Sequence, residues 1–348
     1  GALKELLLPI DNKSAWNAED LRYEKEILDF HRLLKNHFGD QYKTAIASIK
    51  NSILSSFYTP EFIIQPILKS VKRNNVRSDS ILEPAAGTGN FVRAIKQHFP
   101  DASITAIEKD DMTYKILKAN HPNVETIHTG YENFKNRNFD LVISNIPFGN
   151  VSVYDDHIFR EAIPVKIKAT TRIHNYYFVK SLDNLKQGGT LAFIATNGLM
   201  DSPGNKEVRK YLMENSDLIT AVRLPNNVFE QAGTFPVTDI ILLRKNTAKR
   251  NVSTTEKLFI ESAKHTITDE MGVSVAIDLS TYYQKHTENA LGRFVPGGQY
   301  RGDSLDMVPK DGATENDMGH AIASLIDKGY QQLERTLSND PPSLHTNA

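Results

Sequence analysis

The sequence contains no cysteine, a single tryptophan and no long uninterrupted run of apolar residues. The absence of cysteine excludes disulfide bonds, thiolate metal sites and zinc-finger modules, and it is compatible with a reducing compartment. No stretch approaches the roughly 18 consecutive apolar residues that a membrane helix needs, and the N-terminus lacks the pattern of a secretory signal. We therefore expect a soluble, cytoplasmic protein, and we predict no metal site.

An excess of positive charge is also missing, since 41 basic and 42 acidic residues leave a formal net charge of -1. A strongly basic surface is typical of proteins that bind nucleic acid tightly on their own. Any contact with nucleic acid must therefore be local. The chain begins Gly1-Ala2 without an initiator methionine, so we expect a piece of a longer polypeptide whose other domains or subunits lie elsewhere.

Short apolar segments alternate with helical ones through the middle of the chain. Seven segments have the continuous apolar character of buried strands: Ser80 to Leu82, Ile104 to Ile107, Glu125 to Ile127, Leu141 to Ser144, Leu191 to Ala195, Ile219 to Leu224 and Ile240 to Leu243. Their spacing predicts an α/β fold, with a mostly parallel sheet and helices on both faces. The last two segments are joined without a substantial helix, so we expect that pair to be antiparallel.

Three regions follow from this pattern. Residues 1–57 are predicted to be an N-terminal helical extension, because apolar residues recur at helical spacing from Ala18 to Phe38 and again from Ile46 to Leu54. Residues 58–249 hold the sheet. Residues 250–348 form a C-terminal extension of unclear role, with a strand-like piece at Leu258 to Glu261 and a helix from Asn316 to Leu337.

A glycine turn follows the first strand, in the run Glu83-Pro84-Ala85-Ala86-Gly87-Thr88-Gly89-Asn90-Phe91. Turns of this kind at the carboxyl edge of a parallel sheet bind nucleotides, although tight packing alone can also require the glycines. Glu108 closes the second strand 19 residues after Gly89, where an acid can bind ribose hydroxyls. The third glycine of dinucleotide sites is missing, and the acid Glu83 suits a cationic ligand such as S-adenosylmethionine.

A polar and aromatic tetrad, Asn145-Ile146-Pro147-Phe148, ends the fourth strand at the same edge. The exocyclic nitrogen of adenine is a poor nucleophile, so its methylation requires two hydrogen-bond acceptors for the amino group. The side-chain oxygen of Asn145 and the backbone carbonyl of Ile146 can serve, while Pro147 fixes the backbone and Phe148 stacks on the base. A proline-containing strand exit with a buried phenylalanine is the simpler alternative.

In their order and spacing these motifs resemble the N6-adenine DNA methyltransferase family, in particular the catalytic domains of type I restriction modification subunits. The resemblance spans roughly residues 55 to 246. It implies a Rossmann-like methyltransferase sheet and an S-adenosylmethionine-dependent enzyme of bacterial restriction-modification, acting on a flipped-out adenine in DNA. It assigns the catalytic role to Asn145, Ile146, Pro147 and Phe148, and cofactor binding to Tyr58, Thr59, Pro60, Glu83, Ala85, Gly87, Gly89, Asn90, Phe91, Glu108 and Glu132.

Ile146 departs from the family, which usually has proline at that position. Isoleucine still supplies the backbone carbonyl, but an RNA adenine or a protein glutamine amide could use the same acceptors. A catalytically silent module of a larger DNA-processing protein is a further alternative. The segment from Gly149 to Asn175 carries Arg160, Lys166, Lys168 and Arg172, which could hold phosphates, although it also contains acids. Sequence recognition is expected to lie in other domains or subunits.

Overall fold

A seven-stranded sheet forms the centre of the computed structural model, which describes residues 10, 20–46, 59–232, 235–249, 251–268, 272, 274–297 and 305–339. Its strands are β1 (Ser80–Glu83), β2 (Ser103–Glu108), β3 (Glu125–His128), β4 (Phe139–Asn145), β5 (Leu185–Thr196), β6 (Ser216–Leu224) and β7 (Thr238–Lys245). They lie in the order β3-β2-β1-β4-β5-β7-β6. Strand β7 is antiparallel to β5 and β6, whereas the pairs from β3 to β5 are parallel. All seven predicted strands and the antiparallel last pair are confirmed.

Helices cover both faces of this sheet. The described α-helices are α1 (Glu24–Phe38), α2 (Glu61–Arg73), α3 (Asn90–His98), α4 (Asp111–Asn120), α5 (Asp156–Glu161), α6 (Pro164–Ala169), α7 (Ile173–Asn184), α8 (Gly198–Asp201), α9 (Lys206–Asn215), α10 (Thr254–Ile260), α11 (Thr281–Lys285) and α12 (Glu315–Asn339). One apolar cluster joins the sheet to α2, α3 and α12, and a second joins it to α7, α9, α10 and α11. The predicted α/β architecture with helices on both faces is therefore confirmed.

One prediction of secondary structure is wrong. Leu258 to Glu261 was expected to be strand-like, but its apolar residues belong to α10, which ends at Ile260. A capping box formed by Ser253 and Glu256 starts this helix, and the buried Phe259 and Ile260 lie on its inner side. A short apolar run does not distinguish a buried strand from a buried helix, so the capping residues were the signal to follow.

The two ends of the chain contain the predicted helices as far as they are described. Helix α1 lies within the predicted N-terminal extension, whereas the second predicted helical run, Ile46 to Leu54, falls almost wholly outside the described residues. Helix α12 corresponds to the predicted final helix. Two short antiparallel pairs precede it, β8 (Ser262–Thr268) with β9 (Ser274–Ser280) and β10 (Gly292–Pro296) with β11 (Leu305–Pro309).

The described part of residues 250–348 packs directly on the sheet domain. Asn74 at the end of α2 donates from Nδ2 to Asp327 Oδ1 of α12 at 2.7 Å. Arg223 of β6 is fully buried between the carboxylates of Asp201 and Asp239, and Tyr283 of α11 donates to Asp239 Oδ1 at 2.8 Å. Among the described helices, none is long and apolar enough to cross a membrane.

Candidate active site

The carboxyl ends of β1, β2 and β4 lie side by side at one edge of the sheet. Glu83 ends β1, Glu108 ends β2 and Asn145 ends β4, and β1 is hydrogen-bonded to both of the other strands. Adjacent parallel strands bring their carboxyl ends together, which is where open α/β sheets bind ligands. The structure thus places the predicted cofactor acids and the predicted catalytic tetrad at the same edge.

The carboxylate of Glu108 is held in place by the backbone around it. Its Oε2 accepts a hydrogen bond from the Gly87 N–H at 2.9 Å, and its Oε1 accepts one from the Asp110 N–H at 2.7 Å. Burial raises the pKa of this carboxyl above its usual value, while these two backbone donors oppose the shift. Because each carboxylate oxygen can accept two hydrogen bonds, Glu108 retains capacity for the hydroxyls of a ligand.

The two glycines of the turn are required for different structural reasons. Gly89 has φ of +97°, and a Cβ there would lie 2.4 Å from Nε2 of His121, so its missing side chain makes room for protein packing. Gly87 has φ of +55°, and nothing lies within 4 Å of where its Cβ would be. Open space therefore lies beside Gly87, and a ligand can approach the backbone there.

Glu83 is buried at 1 % exposure between the turn and β4. Its Oε1 accepts a hydrogen bond from the hydroxyl of Ser144, and its Oε2 has no hydrogen-bond partner among the described residues. Burial raises the pKa of Glu83 well above its ordinary value, although the Ser144 hydroxyl opposes this shift. A buried acceptor without a donor fits a cationic ligand such as an ammonium group. The sequence pattern did not single out Ser144, which lies at the end of a predicted apolar strand.

The other predicted cofactor residues have varied environments. Thr59 is buried, Pro60 precedes α2, and Ala85 lies half-buried in the turn. Asn90 and the buried Phe91 begin α3. Tyr58 lies outside the described residues. Glu132 accepts a hydrogen bond from Lys109 Nζ at 2.8 Å, so its carboxylate already has a cationic partner.

The tetrad leaves the sheet at the end of β4. Ile146 continues the strand pairing by donating its N–H to the Ile194 carbonyl at 3.0 Å, and its side chain is fully buried in the apolar core. Its backbone carbonyl is thus the only group that Ile146 can offer a substrate. Phe148 is half-buried and meets Phe229 edge to face, with ring centroids 6.0 Å apart. The sequence pattern did not single out Phe229, which follows β6.

A buried ion pair behind the tetrad was also missed. Lys180 Nζ lies 2.6 Å from Asp155 Oδ2, and the Tyr176 hydroxyl donates to the same oxygen at 2.8 Å. Lys180 also donates to the backbone carbonyl of Glu132 at 3.3 Å. The pair connects the segment after the tetrad with the turn after β3. A lysine within the apolar run of α7 could have indicated a buried ion pair. Its acidic partner, however, lies too far away in the sequence to be inferred.

The predicted phosphate-binding cations differ in what they contact. Lys166 is buried and lies 2.8 Å from both Glu161 and Asp183, so its expected contact with phosphates is wrong. Arg160 is exposed but pairs with Asp156 at 2.7 Å. Lys168 and Arg172 are exposed, and neither forms an ion pair within the part of the chain that the structure describes.

Comparison with known proteins identifies the protein family to which this chain belongs. Residues 34–274 match the family model described as N-6 DNA Methylase, and the chain belongs to this family. Membership of this family implies use of S-adenosylmethionine.

Similar individual proteins come from phage and bacteria. The chain is 28% identical over 204 residues to the defense against restriction protein B of Escherichia phage P1, covering 56% of this chain and 8% of that protein. It is 24% identical over 292 residues to the type II methyltransferase M.AccI of Acinetobacter calcoaceticus, covering 77% of this chain and 54% of that enzyme. The chain thus spans only part of these relatives.

A solved structure, that of the type I restriction enzyme EcoKI M protein, has a TM-score of 0.46 and 15% sequence identity to this chain. The match covers 98% of this chain and 86% of that one.

Proposed function

We propose that this chain transfers the methyl group of S-adenosylmethionine to the N6 amino group of an adenine in DNA. The observation that carries the proposal is the position of the Asn145 tetrad, one strand away from the buried carboxylate of Glu83. The hydrogen bond from Ser144 to Glu83 joins the two motifs directly. Membership of the N-6 DNA methylase family supports the same reaction.

The cofactor would be held by residues of the glycine turn and the two strand-end acids. The unpartnered Oε2 of Glu83 suits the amino group, the carboxylate of Glu108 suits ribose hydroxyls, and the space beside Gly87 admits the ligand to the backbone. Thr59, Pro60, Ala85, Asn90, Phe91 and Glu132 are proposed to line the same site. When bound, S-adenosylmethionine supplies an electrophilic methyl group.

The tetrad would prepare the adenine for attack. The Asn145 side-chain oxygen and the Ile146 carbonyl accept hydrogen bonds from the amino group, which localises the nitrogen lone pair for attack. Pro147 restricts the backbone and Phe148 stacks on the base. A carboxamide does not titrate near neutral pH, so the amino proton leaves to water after transfer.

The DNA substrate and its recognition are part of the proposal. A stacked base cannot reach a pocket of this kind, so duplex DNA must flip its adenine out at a cost of roughly a few kcal/mol. Relatives of this chain include proteins named as methylase subunits of type I restriction enzymes. We propose that the target sequence is read by another part of the polypeptide or by another subunit.

Replacement of Asn145 tests the catalytic assignment. Asn145→Ala is expected to lower methyl transfer at least about 100-fold, the usual loss for a removed transition-state hydrogen bond, while thermal stabilisation by S-adenosylmethionine remains. Asn120→Ala, at the exposed end of α4, is the matched control and should retain full activity. Equal transfer by wild type and Asn145→Ala would contradict the assignment.

A further inference from the structure

An exposed apolar patch lies on the segment that follows the tetrad. Tyr154 and Phe159 are 69% and 39% exposed, and their rings stack with centroids 5.0 Å apart and an interplanar angle of 23°. Val151 and Ile163, 57% and 37% exposed, lie on the same segment. We call these four residues the aromatic patch. Two exposed aromatic rings that stack on each other, on a segment with further exposed apolar side chains, indicate an interaction site.

The aromatic patch has a rigid base next to the tetrad. Between Val151 and Phe159, Asp155 is 1 % exposed and is bound by Lys180 and Tyr176. Asp155 also caps α5 by accepting the N–H groups of His157 and Ile158. Ile158 is buried in the apolar cluster that contains Ile146 of the tetrad. The exposed rings are therefore carried by a segment that is anchored by the buried Asp155 and packs in the same apolar cluster as Ile146.

Residues near the end of this segment contact residues near its start, just after the tetrad. The Val153 N–H donates to the Thr170 carbonyl at 2.8 Å, and Arg172 donates to the side-chain oxygen of Asn150. Tyr154 lies six residues after Phe148 in the sequence, so fewer than about 22 Å of extended chain separate them. The segment that carries the aromatic patch therefore starts directly after the tetrad, and Arg172 ties its end to Asn150.

The charge around the aromatic patch favours nucleic acid as its occupant. Asp156 is paired with Arg160, and Glu161 is paired with the buried Lys166. The exposed Lys168 and Arg172 pair with no acidic side chain in the described ranges. A segment that carries both exposed aromatic rings and cations able to contact phosphates has the combination with which proteins bind unstacked nucleotides.

We propose that Tyr154 and Phe159 enter the base stack of the substrate and occupy the space that the extruded adenine leaves. This inference rests on the proposed function. Apolar side chains that insert between bases compensate for lost stacking, so the pair would stabilise the extrahelical adenine in a duplex. It would contribute little when the adenine is already unpaired. The two rings would then act on base extrusion and not on methyl transfer itself.

The double variant Tyr154→Ala/Phe159→Ala tests this role on two forms of one substrate. Unmethylated genomic DNA is supplied either native or heat-denatured, and the initial rate of N6-methyladenine formation is measured by mass spectrometry. We expect the double variant to lose about 10-fold or more on native DNA, in line with the cost of removing an aromatic stack, and less than about 2-fold on denatured DNA. Tyr154→Phe retains a ring and should restore most of the rate that Tyr154→Ala loses on native DNA.

Controls separate this inference from the proposed function. Tyr23→Ala removes an exposed aromatic ring far from the segment in sequence and should leave both rates unchanged. Because both replaced rings are exposed, the double variant should keep the wild-type melting temperature and its stabilisation by S-adenosylmethionine. An equal loss on the two DNA forms, or no loss on native DNA, overturns the role in extrusion. Absence of transfer by the wild type to either form overturns the proposed function, and this inference with it.

Discussion

At the scale of single residues, the carboxyl of Glu83 combines burial with an unpartnered oxygen. Burial raises its pKa well above the ordinary value, so the folded protein binds this proton more tightly than the unfolded chain does. Ionisation of Glu83 therefore costs stability as the pH rises above its ordinary pKa toward the raised one. A bound cation would offset that cost.

Glu83→Gln is expected to raise the melting temperature of the cofactor-free protein at pH 8 by a few degrees, because the amide has no charge to bury. The gain should shrink at pH 5, where wild-type Glu83 is more fully protonated. The same variant should lose its stabilisation by S-adenosylmethionine. Calorimetry at both pH values, with the exposed Glu214→Gln as control, measures both effects. A variant that melts like the wild type at both pH values and still responds to the cofactor would contradict the role of Glu83.

The glycine turn gives a second residue-scale prediction. Gly89→Ala introduces a Cβ that would lie 2.4 Å from His121 Nε2, and it also places alanine at φ of +97°. Gly87→Ala has a comparable backbone strain, of about 1–3 kcal/mol, but no clash. Urea unfolding should therefore show a larger loss for Gly89→Ala, whereas cofactor affinity should fall in the folded Gly87→Ala protein. Equal stability of the two variants would contradict the packing role of Gly89.

At the scale of elements, the buried pair of Lys180 and Asp155 fixes the segment after the tetrad to α7. Lys180→Met leaves the Asp155 carboxylate buried without its cation, which typically costs about 3–5 kcal/mol. The exposed pair of Lys115 and Asp111 on α4 provides the matched control, and Lys115→Met should cost at most about 1 kcal/mol. Adding Asp155→Asn to Lys180→Met should recover part of the loss. Similar small losses in the two single variants would show that the buried pair does not anchor the segment.

The strands were predictable from sequence because buried parallel strands are continuous apolar runs, as in Leu141 to Ser144. The position of Glu83, Glu108 and Asn145 at one edge of the sheet could also be predicted, because each follows or ends a parallel strand. The pair of Lys180 and Asp155 was not predictable, because its contact depends on how two distant segments pack. The prediction that Lys166 contacts phosphates was wrong for the same reason, because its partner Asp183 lies on another helix.

At the scale of the whole molecule, the described C-terminal residues belong to the packing of the sheet. Helix α12 shares an apolar cluster with α2 and the sheet, and Tyr283 closes the buried site of Arg223 and Asp239. A fragment of residues 58–249 is therefore expected to lack cooperative unfolding, whereas residues 20–339 should unfold in one transition. Circular dichroism recorded during heating compares the unfolding transitions of the two fragments. An unchanged melting temperature for the short fragment would show that residues 250–339 are dispensable for folding.

We propose that the sheet edge formed by Glu83, Glu108 and Asn145 methylates adenine in DNA. The most direct test supplies S-adenosylmethionine with a labelled methyl group to DNA, RNA and protein pools in parallel. We predict label in DNA, recovered as N6-methyladenine, and at least about 100-fold less label from Asn145→Ala. Label confined to RNA or to protein glutamine would contradict the DNA substrate. Cofactor binding without transfer to any pool would contradict the enzymatic claim and favour a catalytically silent module.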